Sequence, residues 1–135
     1  MRKLALLLIL IATTAATAPN WVLRDRAYRS FLGHLQTAVE HDDRQTVLGL
    51  VALPLRVNRQ GHGTTLYRTR TAISKDYVRI FTPNVRGAIL AQHFTELFGR
   101  DQGVMIGNGQ VWFDHTCADA DCRAKGSVRI IAVNL

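Results

Sequence analysis

Few residues in this chain have the type and spacing to do chemistry. It carries five histidines, two cysteines and ten Asp plus Glu side chains. No serine stands in Gly-x-Ser-x-Gly and no histidine pair has the His-Glu-x-x-His spacing, so neither a nucleophile elbow nor a two-histidine zinc helix is encoded. Gly107-Asn108-Gly109 lacks the lysine and helix of a phosphate loop and reads as a turn. Asp114-His115 has the composition of an acid/base pair, but adjacent strand residues point to opposite faces. His93 and His115 read as loop or rim residues. His34 borders an apolar helical face beside Phe31 and Ala38, where a buried, hydrogen-bonded histidine is commoner than a catalytic one. Trp112 follows Val111 in a strand pattern and either packs in the core or stacks on a ligand. Arg129 is a charge inside the apolar run Val128 to Val133. Facing a pocket it would bind a ligand carboxylate; facing outward it is simply solvated. The candidate ligand-binding residues are therefore Arg129, Trp112 and His34. No catalytic residue, cofactor motif or metal site is assigned.

Cys117 and Cys122 flank Ala-Asp-Ala-Asp. In an oxidising compartment the default for such a pair is a disulfide, and so small a loop gains only about 2 kcal/mol from closure. The alternative is a metal site drawn from Asp114, His115, Cys117, Asp119, Asp121 and Cys122, but the spacing matches no zinc ribbon or calcium loop.

These residues must be positioned by elements whose periodicity is readable. Tyr28, Phe31, Leu32, Leu35, Ala38 and Val39 recur at three and four, which predicts an amphipathic helix over 25–39. Asp25 and Arg29 form an acid-first i,i+4 pair within it. A second helix comes next, capped by Asp42 or Asp43, buried through Val47, Leu48 and Val51, and ended by Pro54. Leu53, Leu55 and Val57 then alternate as a half-buried strand. Gly61-His62-Gly63 turns it into a return strand over 64–70. This hairpin gathers Arg56, Arg59, Arg68 and Arg70, either as an anion-binding surface or as a charged edge that resists aggregation. Ser74 is read as the cap of a helix holding Tyr77, Val78, Ile80 and Phe81. Thr82-Pro83 opens another, with Val85, Ala88 and Ile89 on one face, Phe94, Leu97 and Phe98 extending it, and Gly99 as its stop. Val104 to Ile106 and Gln110 to Phe113 form a glycine-tipped hairpin. Ser127 to Asn134 is the last strand, with Val128, Ile130 and Ala132 on one face and Arg129, Ile131 and Val133 on the other. The order α-α-β-β-α-α-β-β-β predicts an α+β domain, N-terminal helices packed on a curved, mostly antiparallel sheet.

The 135 residues suffice for one domain. An apolar content of 47% excludes intrinsic disorder, and two cysteines cannot build a disulfide-dense scaffold. Arg2-Lys3, the apolar run Leu4 to Ala12 and the small-x-small Ala16-Thr17-Ala18 have the layout of a cleavable bacterial signal peptide over 1–18, leaving a single domain over 19–135. The stretch from Leu4 to Ala18 is short for a membrane span of about 20 residues. Pro19 fits poorly after a cut at Ala18, and cleavage after Ala15 or Ala16 avoids it. Export to the periplasm or medium gives the formal charge of +7 a particular meaning. Nucleic acid is mostly absent there, and acidic proteins, glycans and lipid headgroups take its place.

Three stretches carry a family resemblance: Leu48 to Asn58 (LGLVALPLRVN), Arg79 to Val85 (RIFTPNV) and Gly103 to Phe113 (GVMIGNGQVWF). With the element order, they make residues 24–135 similar to small exported bacterial proteins with the cystatin-like cone of the nuclear transport factor-like and SnoaL-like superfamily. The resemblance implies a helical pair packed against a curved sheet around a pocket, and in some relatives a dimer through the open sheet face. Enzymes of this shape place an acidic base inside the cone. Asp76 and Asp114, the interior-capable carboxylates, fall at predicted element ends. The expectation is a non-enzymatic binding module for an envelope protein or a small anionic ligand, with no nucleic-acid partner. The alternatives are a small isomerase-, dehydratase- or hydrolase-type pocket enzyme, and an inhibitor or immunity protein that inserts the Cys117–Cys122 loop into an envelope enzyme.

Overall fold

The structure is a computed structural model that describes residues 16–135; residues 1–15 of the signal peptide expected over 1–18 lie outside the described residues. A short helix, α1 (Asn20–Arg24), precedes the predicted one. α2 (Arg26–Glu40) buries all six residues of the predicted stripe. Asp25 is its N-cap, with Oδ1 accepting the Ala27 N–H at 2.8 Å. Arg29 does not pair with Asp25 across the first turn; its guanidinium lies 4.1 Å over the Phe94 ring. Asp43 caps α3 (Arg44–Gly49) by accepting the Thr46 N–H at 3.1 Å and its hydroxyl at 2.6 Å.

The second helix ends at Gly49, well before Pro54. Val51 opens β1 (Val51–Arg59), because the neighbouring Leu50 carbonyl is taken by the Ile130 N–H at 2.8 Å. Pro54 lies inside β1, within a register shift between Val51 and Arg56, where a missing N–H is tolerated. Leu55 and Val57 are buried as predicted, but Leu53 is exposed. The return strand β2 (Gly63–Tyr67) is shorter than predicted. Thr69 accepts the Ala72 N–H and starts α4 (Arg70–Lys75), so Ser74 is interior to a helix rather than its cap. Asp76 precedes the single turn α5 (Tyr77–Ile80). Thr82 caps α6 (Pro83–Ala91), as its Thr-Pro start predicts.

α6 stops at Ala91. Gln36 of α2 donates to the carbonyls of Ile89 and Gln92 at 3.0 and 2.8 Å, supplying donors that further helix would have provided. A 3-10 turn (Phe94–Glu96) and β3 (Phe98–Arg100) come after it. Gly99 is therefore a strand residue. Trp21 and Val22 pack so tightly on it that a Cβ would lie 2.7 Å from either side chain. β4 (Gly103–Ile106), β5 (Val111–Cys117) and β6 (Lys125–Asn134) complete the chain.

The six strands form one curved mixed sheet in the order β2-β1-β6-β5-β4-β3. β1 and β6 run parallel, and every other pairing is antiparallel. The fold is α+β. One sheet face carries the helices over an apolar core that includes Leu35, Leu55, Ile89, Phe113 and Ile130. No polar or charged residue among those described is fully buried apart from tyrosines. Among the described residues no helix covers the other face, the open face.

β6 departs from simple alternation. Trp112 pairs with Ala132 while Phe113 pairs with Ile130, so Ile131 is an extra residue, a β-bulge. The bulge reverses the facing of the residues beyond it. Val133 joins Val128 and Ile130 in the core, and Ala132 moves to the open face. The prediction that Ala132 sits with the core and Val133 opposite is corrected by this one inserted residue.

Candidate functional site

Two groups of side chains stand out, one on each face of the sheet. On the helix side, Asp25, Tyr28, Asp114 and His115 form a cluster. His115 lies two residues beyond Phe113 along β5, so both rings face α2. Tyr28 sits between them, with ring centroids 5.7 Å from Phe113 and 5.0 Å from His115. His115 Nε2 meets Asp25 Oδ2 at 2.8 Å and Nδ1 meets the Gly126 carbonyl at 3.0 Å. Both partners are acceptors, so the ring is held at each nitrogen. The Tyr28 hydroxyl donates to Asp114 Oδ1 at 2.6 Å, and the same oxygen accepts the His115 backbone N–H at 2.7 Å. Gly103 lies beside Asp114 and packs closely on the β5 backbone. At φ +118 a Cβ there would stand 2.9 Å from the Phe113 carbonyl oxygen and 3.5 Å from Asp114 Oδ2.

These contacts set the electrostatics. Burial pushes the Asp25 carboxyl up, but hydrogen bonds from His115 and the Ala27 N–H and the nearby His115 charge outweigh it and hold it below the ordinary Asp range. Burial, then the bond to Asp114 and the charges of Asp114 and Asp25, push the Tyr28 phenol well up. Asp114 and His115 do not pair through their side chains. Each finds its partner on α2 or at its cap. Both His115 ring nitrogens are engaged, by Asp25 and by the Gly126 carbonyl, so the cluster works as a clasp between the start of α2 and the β5–β6 end of the sheet. His115 is thus a half-buried strand residue, not a loop or rim one.

On the open face a trough of about 640 Å³ runs across β1, β6 and β5. In register, Arg56 pairs with Ala132 and Ala132 with Trp112. The small Ala132 is the floor, and Arg56 and Trp112 are the walls. Leu66 and Pro54 form an apolar rim. A polar relay closes one end: the Thr64 hydroxyl donates to Asn58 at 2.7 Å, Asn58 to Asn134 at 2.7 Å, and Asn134 to the Gly109 carbonyl. Near Trp112, Arg100 lies 5.7 Å from the indole centroid and donates to Gln102 at 2.7 Å. Among the described residues Arg56 forms no ion pair.

The three residues singled out from sequence are not brought together. Trp112 walls the trough. Arg129 stands opposite Asp114, beyond the bulge, half-buried, with Nη1 on the Val128 carbonyl at 2.9 Å. His34 is exposed on α2 and lines a separate hollow with His41, Asp43 and Thr46. The four hairpin arginines do not form one surface either. Arg56 faces the trough, whereas Arg59 turns to the helix side and donates to the Tyr67 hydroxyl, which donates to Asp76. Arg70 belongs to α4 and holds the Leu48 and Val51 carbonyls, while Arg68 is exposed.

Cys117 and Cys122 are disulfide-bonded with Cα atoms 4.7 Å apart, within the usual span. The six side chains weighed as metal ligands do not converge, and no group of three or more His, Cys, Asp or Glu among the described residues is placed to hold a metal ion. No helix of the described residues is long and apolar enough to cross a membrane. Sequence reasoning missed Asp25 as the partner of His115, for which a strong N-cap residue was the available signal. Comparison with family models, curated proteins and solved structures finds no match to this chain.

Proposed function

We propose that this protein is an exported, non-enzymatic binding module, periplasmic or secreted, built on a cystatin-like cone. The observation that carries the reading is the contrast in availability. The titratable groups of the helix-side cluster are bonded to one another, while the trough on the opposite face presents, beside a tryptophan, an arginine with no ion pair among the described residues. The disulfide and the apolar leader support an oxidising compartment. The packed apolar core on the helix side supports binding at the surface over chemistry inside the cone.

Processing of the leader is part of this reading. Ala18 is buried and its N–H donates to the Thr95 carbonyl at 2.8 Å. A cut after Ala18 would remove that anchor, whereas a cut after Ala15 or Ala16 keeps it. Intact-mass measurement of protein recovered from the exported fraction should give a mature chain that starts at Ala16 or Thr17.

The main test is affinity capture of the tagged mature protein from the envelope fraction, with cross-linking and mass spectrometry, alongside assays for turnover. A stable partner or retained ligand supports the module. Substrate turnover abolished by substitution of Asp25, Tyr28, Asp114 or His115 would overturn it. A second reading, an inhibitor or immunity protein, draws on the exposed, disulfide-pinned loop after β5. It predicts that shortening residues 118–121 abolishes capture of an envelope enzyme.

A further inference from the structure

We infer that the open-face trough binds a small planar organic anion, its aromatic ring against Trp112 and its carboxylate on Arg56. The inference rests on the binding-module reading and names the ligand class and the site.

Size comes first. The trough holds about 640 Å³, inside the range of small-molecule sites, roughly 300–1,000 Å³. Arg56 and Trp112 stand on strands two apart, so their backbones are separated by about 10 Å. Only the methyl of Ala132 lies between them in the register. That gap has the length of an aromatic ring carrying a carboxylate.

Chemistry comes second. Among the described residues no acidic side chain lines the trough. Arg56 is exposed and without an ion pair among the described residues. A guanidinium is a planar fork that matches a carboxylate through two parallel hydrogen bonds. Arg100 adds a second positive charge beside the indole. The apolar rim of Leu66 and Pro54 suits the body of a ligand, and the amide relay at Asn58 and Asn134 is already satisfied internally, so it shapes the end wall without demanding a partner. The Arg56 anchor, a flat aromatic wall and a small floor select a compact anion with a flat apolar body over a bare inorganic ion.

The test uses the mature protein and three probes: 2-naphthoate, its neutral amide 2-naphthamide, and sulfate. The chain has two tryptophans, so the two indole N–H signals in a nitrogen-edited spectrum are assigned by loss of one in Trp21→Phe. Naphthoate should shift the Trp112 indole and the Ala132 methyl saturably, about tenfold tighter than naphthamide, with sulfate shifting neither. Arg56→Gln, at an exposed position, should weaken naphthoate about tenfold and leave naphthamide unchanged. Ala132→Leu, which raises the floor, should weaken both. The inference is overturned if naphthoate does not bind, if the amide binds equally well, if Arg56→Gln changes nothing, or if the shifts map to the His34 hollow. It is also overturned if sedimentation shows a dimer whose dissociation on dilution moves the Trp112 signal, because the face then belongs to a second copy of this chain. Envelope capture that persists while naphthoate fails would reject this ligand class and leave the module reading standing. Loss of both would reject the module itself.

Discussion

The two faces of the sheet use polar side chains in opposite ways. On the helix face each one reaches a partner: Asp25 with His115, Tyr28 with Asp114, Arg59 with Tyr67 and Asp76, Gln36 with the end of α6. On the open face Arg56 has no ion-pair partner among the described residues, and Trp112 keeps part of its ring in solvent. Desolvation explains the difference. A polar group beside an apolar core must be bonded or it costs stability. A group on a solvated face can stay unpartnered at little cost and so remains available to a ligand. Partnering is thus the signature of the scaffold here, and its absence marks the candidate site.

The largest test of that contrast compares neighbours on β5. Phe113 is fully buried against Tyr28 and Phe31. Phe113→Ala should cost about 3–5 kcal/mol in chemical denaturation, and Trp112→Ala about 1 kcal/mol or less. Equal losses would mean that the open face is also core. A smaller effect is expected at the clasp. His115→Ala strands the Asp25 carboxylate and the Gly126 carbonyl, for a loss of about 1–3 kcal/mol. Asp25→Asn keeps a good N-cap but removes the charge. Because the folded carboxyl sits below its ordinary value of 3.8, its contribution is complete above that pH and is lost as pH falls through the folded value. The stability gap between wild type and Asp25→Asn should therefore be widest near neutrality and close below about pH 4. A gap that persists undiminished in strong acid would remove the charge from the account. The smallest effect sharpens the comparison from the other side. Arg56→Gln should move stability by no more than about 0.5 kcal/mol while it weakens naphthoate about tenfold.

Legibility in the sequence tracks the range of each interaction. The α2 stripe and the Thr82 cap involve residues three or four apart and are found where predicted, and of the two caps expected for the second helix, Asp42 or Asp43, it is Asp43 that caps α3. The end of α6 escapes the local pattern because its stop is Gln36, more than fifty residues earlier. The faces of β6 after Ile130 depend on register with β5, and one bulge at Ile131 reverses them. The candidate site is half legible. Trp112 stands out in the sequence, but Arg56 groups there with three other arginines that the fold sends elsewhere. Its real companion lies across two strands, a pairing that no local pattern encodes.

The strand order has a consequence for how the protein is made. β6, the last strand along the chain, sits at the middle of the sheet, between β1 and β5. Until it arrives, the β1–β2 hairpin and the β3–β4–β5 meander have no hydrogen bonds joining them. A ribosome delivers the N-terminal end first, so it releases two halves of a sheet before the strand that unites them. Assembly of the full sheet is therefore governed by long-range pairing and waits for the ten-residue strand β6.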